Sequence, residues 1–137
     1  MSFLRTLNIF LLTIIALFGL YELYFIIKRK LSGAEWIEQD EFIEGMRKAQ
    51  VIDVREKDSY NAGHILGARS IPYTLARSHK EYLTSLRKDQ PIYLYEDRKK
   101  LAISVASMLK KEGYTDVYIL KKGFSEWSGK TKKKATY

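Results

Sequence analysis

An uninterrupted apolar run near the amino terminus limits the folding options of this chain more than any other feature. From Leu7 to Ile27 it reads LNIFLLTIIALFGLYELYFII, and only Asn8, Thr13 and Glu22 are clearly polar. As a helix rising 1.5 Å per residue, such a run spans roughly 31 Å, close to the ~30 Å hydrocarbon core of a bilayer. A helix of this length in a soluble core carries a polar stripe, and this one lacks it. Residues 1–30 are therefore expected to form a transmembrane anchor with a basic flank, with membrane lipid as the partner of residues 7–27. Tyr21 and Tyr24 fall in the last two turns, where aromatic rings favour the interface. Glu22, near the basic end, can snorkel or pair with Lys28 or Arg29.

A cleaved signal peptide fits less well. The run exceeds an ordinary h-region, and Lys28, Arg29 and Lys30 separate it from the small residues Ser32, Gly33 and Ala34. Only Arg5 and the amino terminus precede the run, whereas three consecutive cations follow it. The positive-inside rule then predicts a single-pass protein with its C-terminal domain in the cytoplasm.

Beyond residue 30 about a hundred residues remain, room for one modest domain. The composition, 46% hydrophobic and 29% charged, is that of a globular chain. Residues 31–34 read as a linker, 35–128 as the domain, and 129–137 as a basic tail expected to fray. Within the domain, strand-like runs alternate with helical ones. Strands are expected at Glu35–Ile37, Gln50–Val54, Ala68–Ile71, Pro91–Tyr95 and Val117–Leu120. Helical stretches are expected at Asp40–Lys48, Lys57–Ala62, Thr74–Leu86 and Leu101–Glu112, with a closing turn at Gly123–Trp127. Leu75, Tyr82, Leu83 and Leu86 share one expected inner face, and Ile103, Ala106 and Leu109 another. The alternation predicts an α/β fold: a small, mostly parallel sheet flanked by helices, preceded by one transmembrane helix. In such sheets ligands bind beyond the carboxyl ends of the strands, which directs attention to the loop after Tyr95.

The chain contains no cysteine. A disulfide, a thiolate nucleophile and a persulfide carried on the chain itself are thereby excluded, as is a thiolate metal site. Two histidines, His64 and His79, without H-x-x-x-H spacing give no reason to expect a metal, and no cofactor is implied. The net charge of +8 has a sufficient origin in the juxtamembrane cations and the lysine tail. Nucleic acid is accordingly not an expected partner.

Several separated motifs carry a family resemblance. Ile52-Asp53-Val54-Arg55-Glu56, Tyr60, Gly63-His64-Ile65, Gly67-Ala68 and Ile71-Pro72 occur in order, followed later by Gly113-Tyr114, Val117-Tyr118, Gly123-Phe124 and Trp127. This pattern, from about Trp36 to Trp127, resembles the rhodanese-like domain. The resemblance implies a strand ending in a cysteine that becomes a persulfide, cradled by backbone N–H groups and a helix N-terminus, which stabilise anions. Counted back from Gly113, the cysteine position falls on Glu96. Lys99 stands where a loop glycine is usual, and Leu101 and Ala102 stand where an arginine and a serine commonly help bind the sulfur donor. Leu66 and Lys122 also replace a usual proline and glycine, with consequences for turns only.

The scaffold motifs thus survive while the loop that does the chemistry is rewritten. The expectation is a catalytically inactive interaction or regulatory module, not an enzyme. Glu96, Asp97, Arg98, Lys99, Lys100 and Leu101 are its candidate loop for a protein partner or small anion. The Glu96 carboxylate is expected to occupy the anion cradle itself. Asp53, Arg55, Gly63, His64 and Gly67 are assigned structural roles, and a Ser104, Ser107 and His64 triad has little support. The alternative is a sulfurtransferase-family protein that handles sulfane sulfur or an anionic donor together with a partner's thiol.

Overall fold

The computed structural model of the chain describes residues 2–31, 33–97 and 99–133, and the backbone alone of residues 29, 31 and 99. The apolar run lies in one continuous helix, α1 (Ser2–Leu31), whose segment Ser2–Lys28 is long and apolar enough to cross a bilayer. After the turn at Gly33 come β1 (Glu35–Ile37), α2 (Gln39–Gly45, continued by a 3-10 turn to Lys48), β2 (Gln50–Asp53) and α3 (Lys57–Ala62). Next are β3 (His64–Ile65), β4 (Arg69–Ser70), α4 (Tyr73–Ser78), α5 (Glu81–Thr84) and β5 (Ile92–Tyr95). The chain then forms α6 (Lys99–Lys111), β6 (Val117–Leu120), a 3-10 turn (Phe124–Glu126) and β7 (Thr131–Lys132).

Five strands form one sheet in the order β1-β6-β5-β2-β4, and each of its neighbouring pairs is parallel. Alternation along the strands divides the core into two layers. Ile52, Ile92, Leu94 and Ile119 face α4, α5 and α6, where Ala76, Leu83, Ala102, Val105, Ala106 and Leu109 are buried. Val51, Tyr95 and Leu120 face the other way, onto Phe42 of α2, Ile65 and Ala68, with Phe124 and Trp127 packed at the margin. The inner face expected for the helix over residues 101–112 is therefore the buried one, since Ile103, Ala106 and Leu109 are all core residues.

Two expectations need correction. The helix expected over Thr74–Leu86 is split at His79, whose backbone is extended (φ −135°, ψ 95°). At the end of the second half the buried Tyr114 hydroxyl shares its one proton between the carbonyls of Leu86 (2.6 Å) and Leu83 (2.8 Å), and the Arg87 N–H donates to Gln50 Oε1. The break rotates the second half. Leu83 and Leu86 stay buried, but Leu75 and Tyr82, expected inside, are exposed. Nor is the start of the tail frayed: Thr131–Lys132 pairs antiparallel with His64–Ile65 as a separate two-stranded sheet.

The domain is not remote from α1. Lys28 Nζ donates to Ser104 Oγ (3.2 Å), and Lys100 Nζ lies over the Tyr21 and Phe25 rings, 4.0 and 4.5 Å from their centroids. Lys28, one of the two cations offered as partners for Glu22, thus turns to α6, and the Arg29 side chain lies outside the described residues.

Candidate functional site

The chain runs outward from β2 to β4 and returns across to β5, so the direction of winding reverses between β2 and β5. Ligand crevices in open parallel sheets form at such a reversal, beyond the carboxyl ends. Asp53 and Tyr95 are register partners there, and the residues that follow each strand meet in space.

On the β2 side, Asp53 is fully buried and Arg55 nearly so. Arg55 Nε and Nη2 bind the Asp53 carboxylate, the closest contact being 2.6 Å, and Nη2 also donates to the Gly63 carbonyl at 2.7 Å. The guanidinium stacks over Phe124, 4.2 Å from its centroid, and its Nη1 lies 3.9 Å from Asp97. Burial alone would lower the Arg55 pKa, but the hydrogen bonds and charge of Asp53 outweigh this and hold it above its ordinary value. Gly63 and His64 complete the frame: the His64 Nδ1–H donates to the Tyr60 carbonyl (2.8 Å) and the ring stacks on Tyr60 at 3.7 Å. Gly67 turns the chain with φ +90°, a conformation suited to glycine.

Tyr95 ends β5 fully buried, with its hydroxyl oxygen accepting the Ile65 N–H at 3.1 Å. Burial, then the nearby Asp53 charge, pushes its phenol pKa well up. A phenol whose pKa is raised on folding stabilises the protein fully below the unfolded value, about 10, and this is lost as pH rises beyond it. The denaturant midpoint of the domain is therefore expected to fall as pH rises above about 10. A Tyr95→Phe variant, though less stable at neutral pH, should show a shallower fall. Equal slopes in the two proteins would remove Tyr95 from this account.

The next residue, Glu96, is also buried, at 3% exposure. Its Oε1 accepts the backbone N–H of Ala102 in the first turns of α6, at 2.7 Å. Its carbonyl accepts the Phe124 N–H at 2.9 Å. Both ends of the residue are thus held, the side chain by α6 and the backbone by the segment after β6. Gly123 makes this closeness possible: a Cβ there would lie 2.3 Å from the Glu96 carbonyl oxygen.

The remaining loop residues diverge. Asp97 is half-exposed and borders Arg55. Leu101 is 38% exposed, whereas Lys100 reaches toward α1. Arg98 lies outside the described residues, and Lys99 is described by its backbone alone as the first residue of α6. The loop therefore does not present a patch built around Glu96, whose carboxylate points inward. Sequence reasoning missed Tyr95 and Phe124, the aromatic walls around Arg55; their only signal was strand alternation and the closing motif. It also missed a groove of about 520 Å³ lined by Ile43, Met46, Leu66, Trp127 and Lys130 among others, which shares no residue with this loop. Among the described residues no cluster of His, Asp and Glu could hold a metal ion.

Comparison with known proteins agrees with this geometry. The family model of the rhodanese-like domain matches residues 38–130. The uncharacterized protein YqhL of Bacillus subtilis is 38% identical over 128 residues, covering 93% of this chain and 98% of its own, so the match runs into α1 as well as the domain. The thiosulfate sulfurtransferase GlpE of Pseudomonas paraeruginosa is 33% identical over 79 residues, 58% of this chain and 69% of its own. Among solved structures, the rhodanese-like domain of the Anabaena protein Alr3790 superposes with a TM-score of 0.61 at 25% identity, over 72% of this chain and 78% of that one. The BH2092 protein of Bacillus halodurans gives 0.64 at 24% identity, over 83% and 86%. With its parallel five-stranded sheet and its loop between β5 and α6, the chain belongs to the rhodanese-like domain family.

Proposed function

We propose that this protein is a non-catalytic rhodanese-like module, held at the cytoplasmic face of a membrane by α1, that binds a protein partner or small anion through residues 96–101. One observation carries the reading. At the position that the family resemblance gives to the sulfur nucleophile, a buried carboxylate receives the N–H of Ala102. An anion cradle at a helix N-terminus is here filled by the chain's own side chain. A carboxylate cannot carry sulfane sulfur, and the chain has no thiol to do so. What is left for recognition is the outer rim of residues 97–101, of which Asp97 and Leu101 are among the described side chains that are exposed. The single apolar span and its three trailing cations support the tether and its orientation.

The likeness to a thiosulfate sulfurtransferase favours a second reading, in which the domain presents an anionic sulfur donor to a partner's thiol. Calorimetry of thiosulfate binding to the parent separates the two, and a Glu96→Cys variant reports whether the loop still forms a cradle. The parent is expected to be silent in thiosulfate-to-cyanide transfer. In the variant, alkylation rates followed against pH should report a thiol pKa below the ordinary 8.5, because a thiolate at this place meets the same N–H donor. Turnover by the parent would overturn the non-catalytic reading. A thiol titrating at or above 8.5 would mean that the loop no longer forms a cradle.

A further inference from the structure

The contact between α1 and α6 encloses a crevice of about 310 Å³ lined by Tyr24, Ile27, Lys28, Ser107, Lys110 and Lys111. From these residues we infer a binding site for the headgroup of an anionic phospholipid. The inference rests on the reading of α1 as a membrane span.

The position along α1 comes first. The apolar segment Ser2–Lys28 has 27 residues, about 40 Å of helix, whereas the hydrocarbon core takes about 20 residues. The surplus is shared between the two ends, Arg5 marking the first, and the last two turns, from about Tyr21 to Lys28, reach the headgroup layer. The aromatic residues Tyr21, Tyr24 and Phe25 gather there, as interfacial rings do. Phe25 and Lys28 are half-buried against α6, so the domain itself meets this layer.

The second argument is the order of the contacts. Lys100 meets Tyr21 and Phe25, Ser104 meets Lys28, and Lys110 meets Gly33 beyond the span. The two helices therefore run in the same direction, away from the bilayer. Within the crevice, apolar Tyr24 begins the α1 wall on the bilayer side, while Lys110 and Lys111 lie toward the far end of α6. An anionic phospholipid has that same polarity, acyl chains inward and phosphate outward. Lys28, Lys110 and Lys111 supply three cations for one phosphate, and the Ser107 hydroxyl supplies a neutral donor. Basic pockets beside membrane helices take anionic headgroups by this chemistry. A soluble phosphate would satisfy the lysines but leave Tyr24 and Ile27 uncovered, which favours the lipid.

The test uses the full chain in detergent micelles, with phosphatidylglycerol and phosphatidylcholine as probes and bound lipid counted by native mass spectrometry. The parent should bind phosphatidylglycerol at least about 10-fold more tightly. Replacing Lys28, Lys110 and Lys111 by glutamine should cut that affinity about 10- to 100-fold. Matching replacements at Lys130, Lys132 and Lys133 should leave it unchanged, and a Ser107→Trp variant, which fills the crevice without altering charge, should also lose the lipid. Equal affinity for the two lipids, equal loss in the tail variant, or displacement by millimolar inorganic phosphate would overturn the site. Carbonate extraction of cell membranes tests the span separately. Release of the chain would overturn both readings, and retention without lipid preference would overturn this one alone.

Discussion

Gly123→Ala is expected to destabilise the domain by about 2–6 kcal/mol and to unseat the loop after β5. Two costs combine. Gly123 has φ +73° and ψ −174°, a region essentially confined to glycine, where another residue costs about 1–3 kcal/mol. A Cβ would also lie 2.3 Å from the carbonyl oxygen of Glu96 and 3.1 Å from that of Asp97. Both are backbone atoms, so no side-chain rotation relieves the clash, and overpacking of this kind costs about 1–3 kcal/mol. The Phe124 N–H to Glu96 carbonyl bond, one residue on, would stretch with it. Urea unfolding followed by Trp36 and Trp127 fluorescence measures the first effect. Hydrogen exchange at the Ala102 amide measures the second, because that proton is protected by Glu96. An unfolding free energy within about 0.5 kcal/mol of the parent's, the range of ordinary surface substitutions, would show that the segment after β6 is looser than described.

Arg55→Met should be equally severe by a different route. It leaves the Asp53 carboxylate fully buried without its bidentate partner. Breaking a buried pair by removing one member typically costs about 3–5 kcal/mol. Removing both charges is far milder, since buried pairs barely repay their desolvation. The double variant Asp53→Leu/Arg55→Met should therefore recover much of the loss. Recovery will be incomplete, because Asp53 Oδ1 also accepts the Arg55 backbone N–H. Additive destabilisation in the double-mutant cycle would show that the two side chains are not coupled. Arg55 also closes the floor under Asp97, so the single variant disturbs the candidate loop as well as the core.

The contrast between these residues shows what can be read from a sequence. Asp53, Arg55, Gly63, His64 and Gly123 stand in the motifs that carry the family resemblance. Their physical reasons are not visible there. Nothing local to Gly123 reveals that the carbonyl of Glu96 passes beside it, because that contact joins the segments that follow two different strands. The face of α6 was legible because Ile103, Ala106 and Leu109 recur at helical spacing. The break at His79 was not, for the run Ser78-His79-Lys80 holds neither glycine nor proline. Nor is the anchoring of the end of α5 legible, since it comes from a remote phenol, Tyr114, bound to the Leu83 and Leu86 carbonyls. Lys100 was assigned to the loop mouth from its neighbours in sequence, but Tyr21 and Phe25 draw it to α1. The pairing of Thr131–Lys132 with His64–Ile65 has no signature in a two-residue strand, since register needs a longer pattern.

The strand order also governs when the fold can exist. β1, among the first elements of the domain to leave the ribosome, finds its sheet neighbour in β6, close to the opposite end. β2 waits for both β4 and β5. Parallel pairings of such long range are slow to form, because loop closure costs entropy before the contacts can repay it. α1, whose backbone hydrogen bonds are local, can form as soon as it emerges. A nascent chain therefore passes through a stage in which the helix is complete and the sheet cannot yet assemble. A chain truncated after β5 should remain protease-sensitive throughout its α/β region.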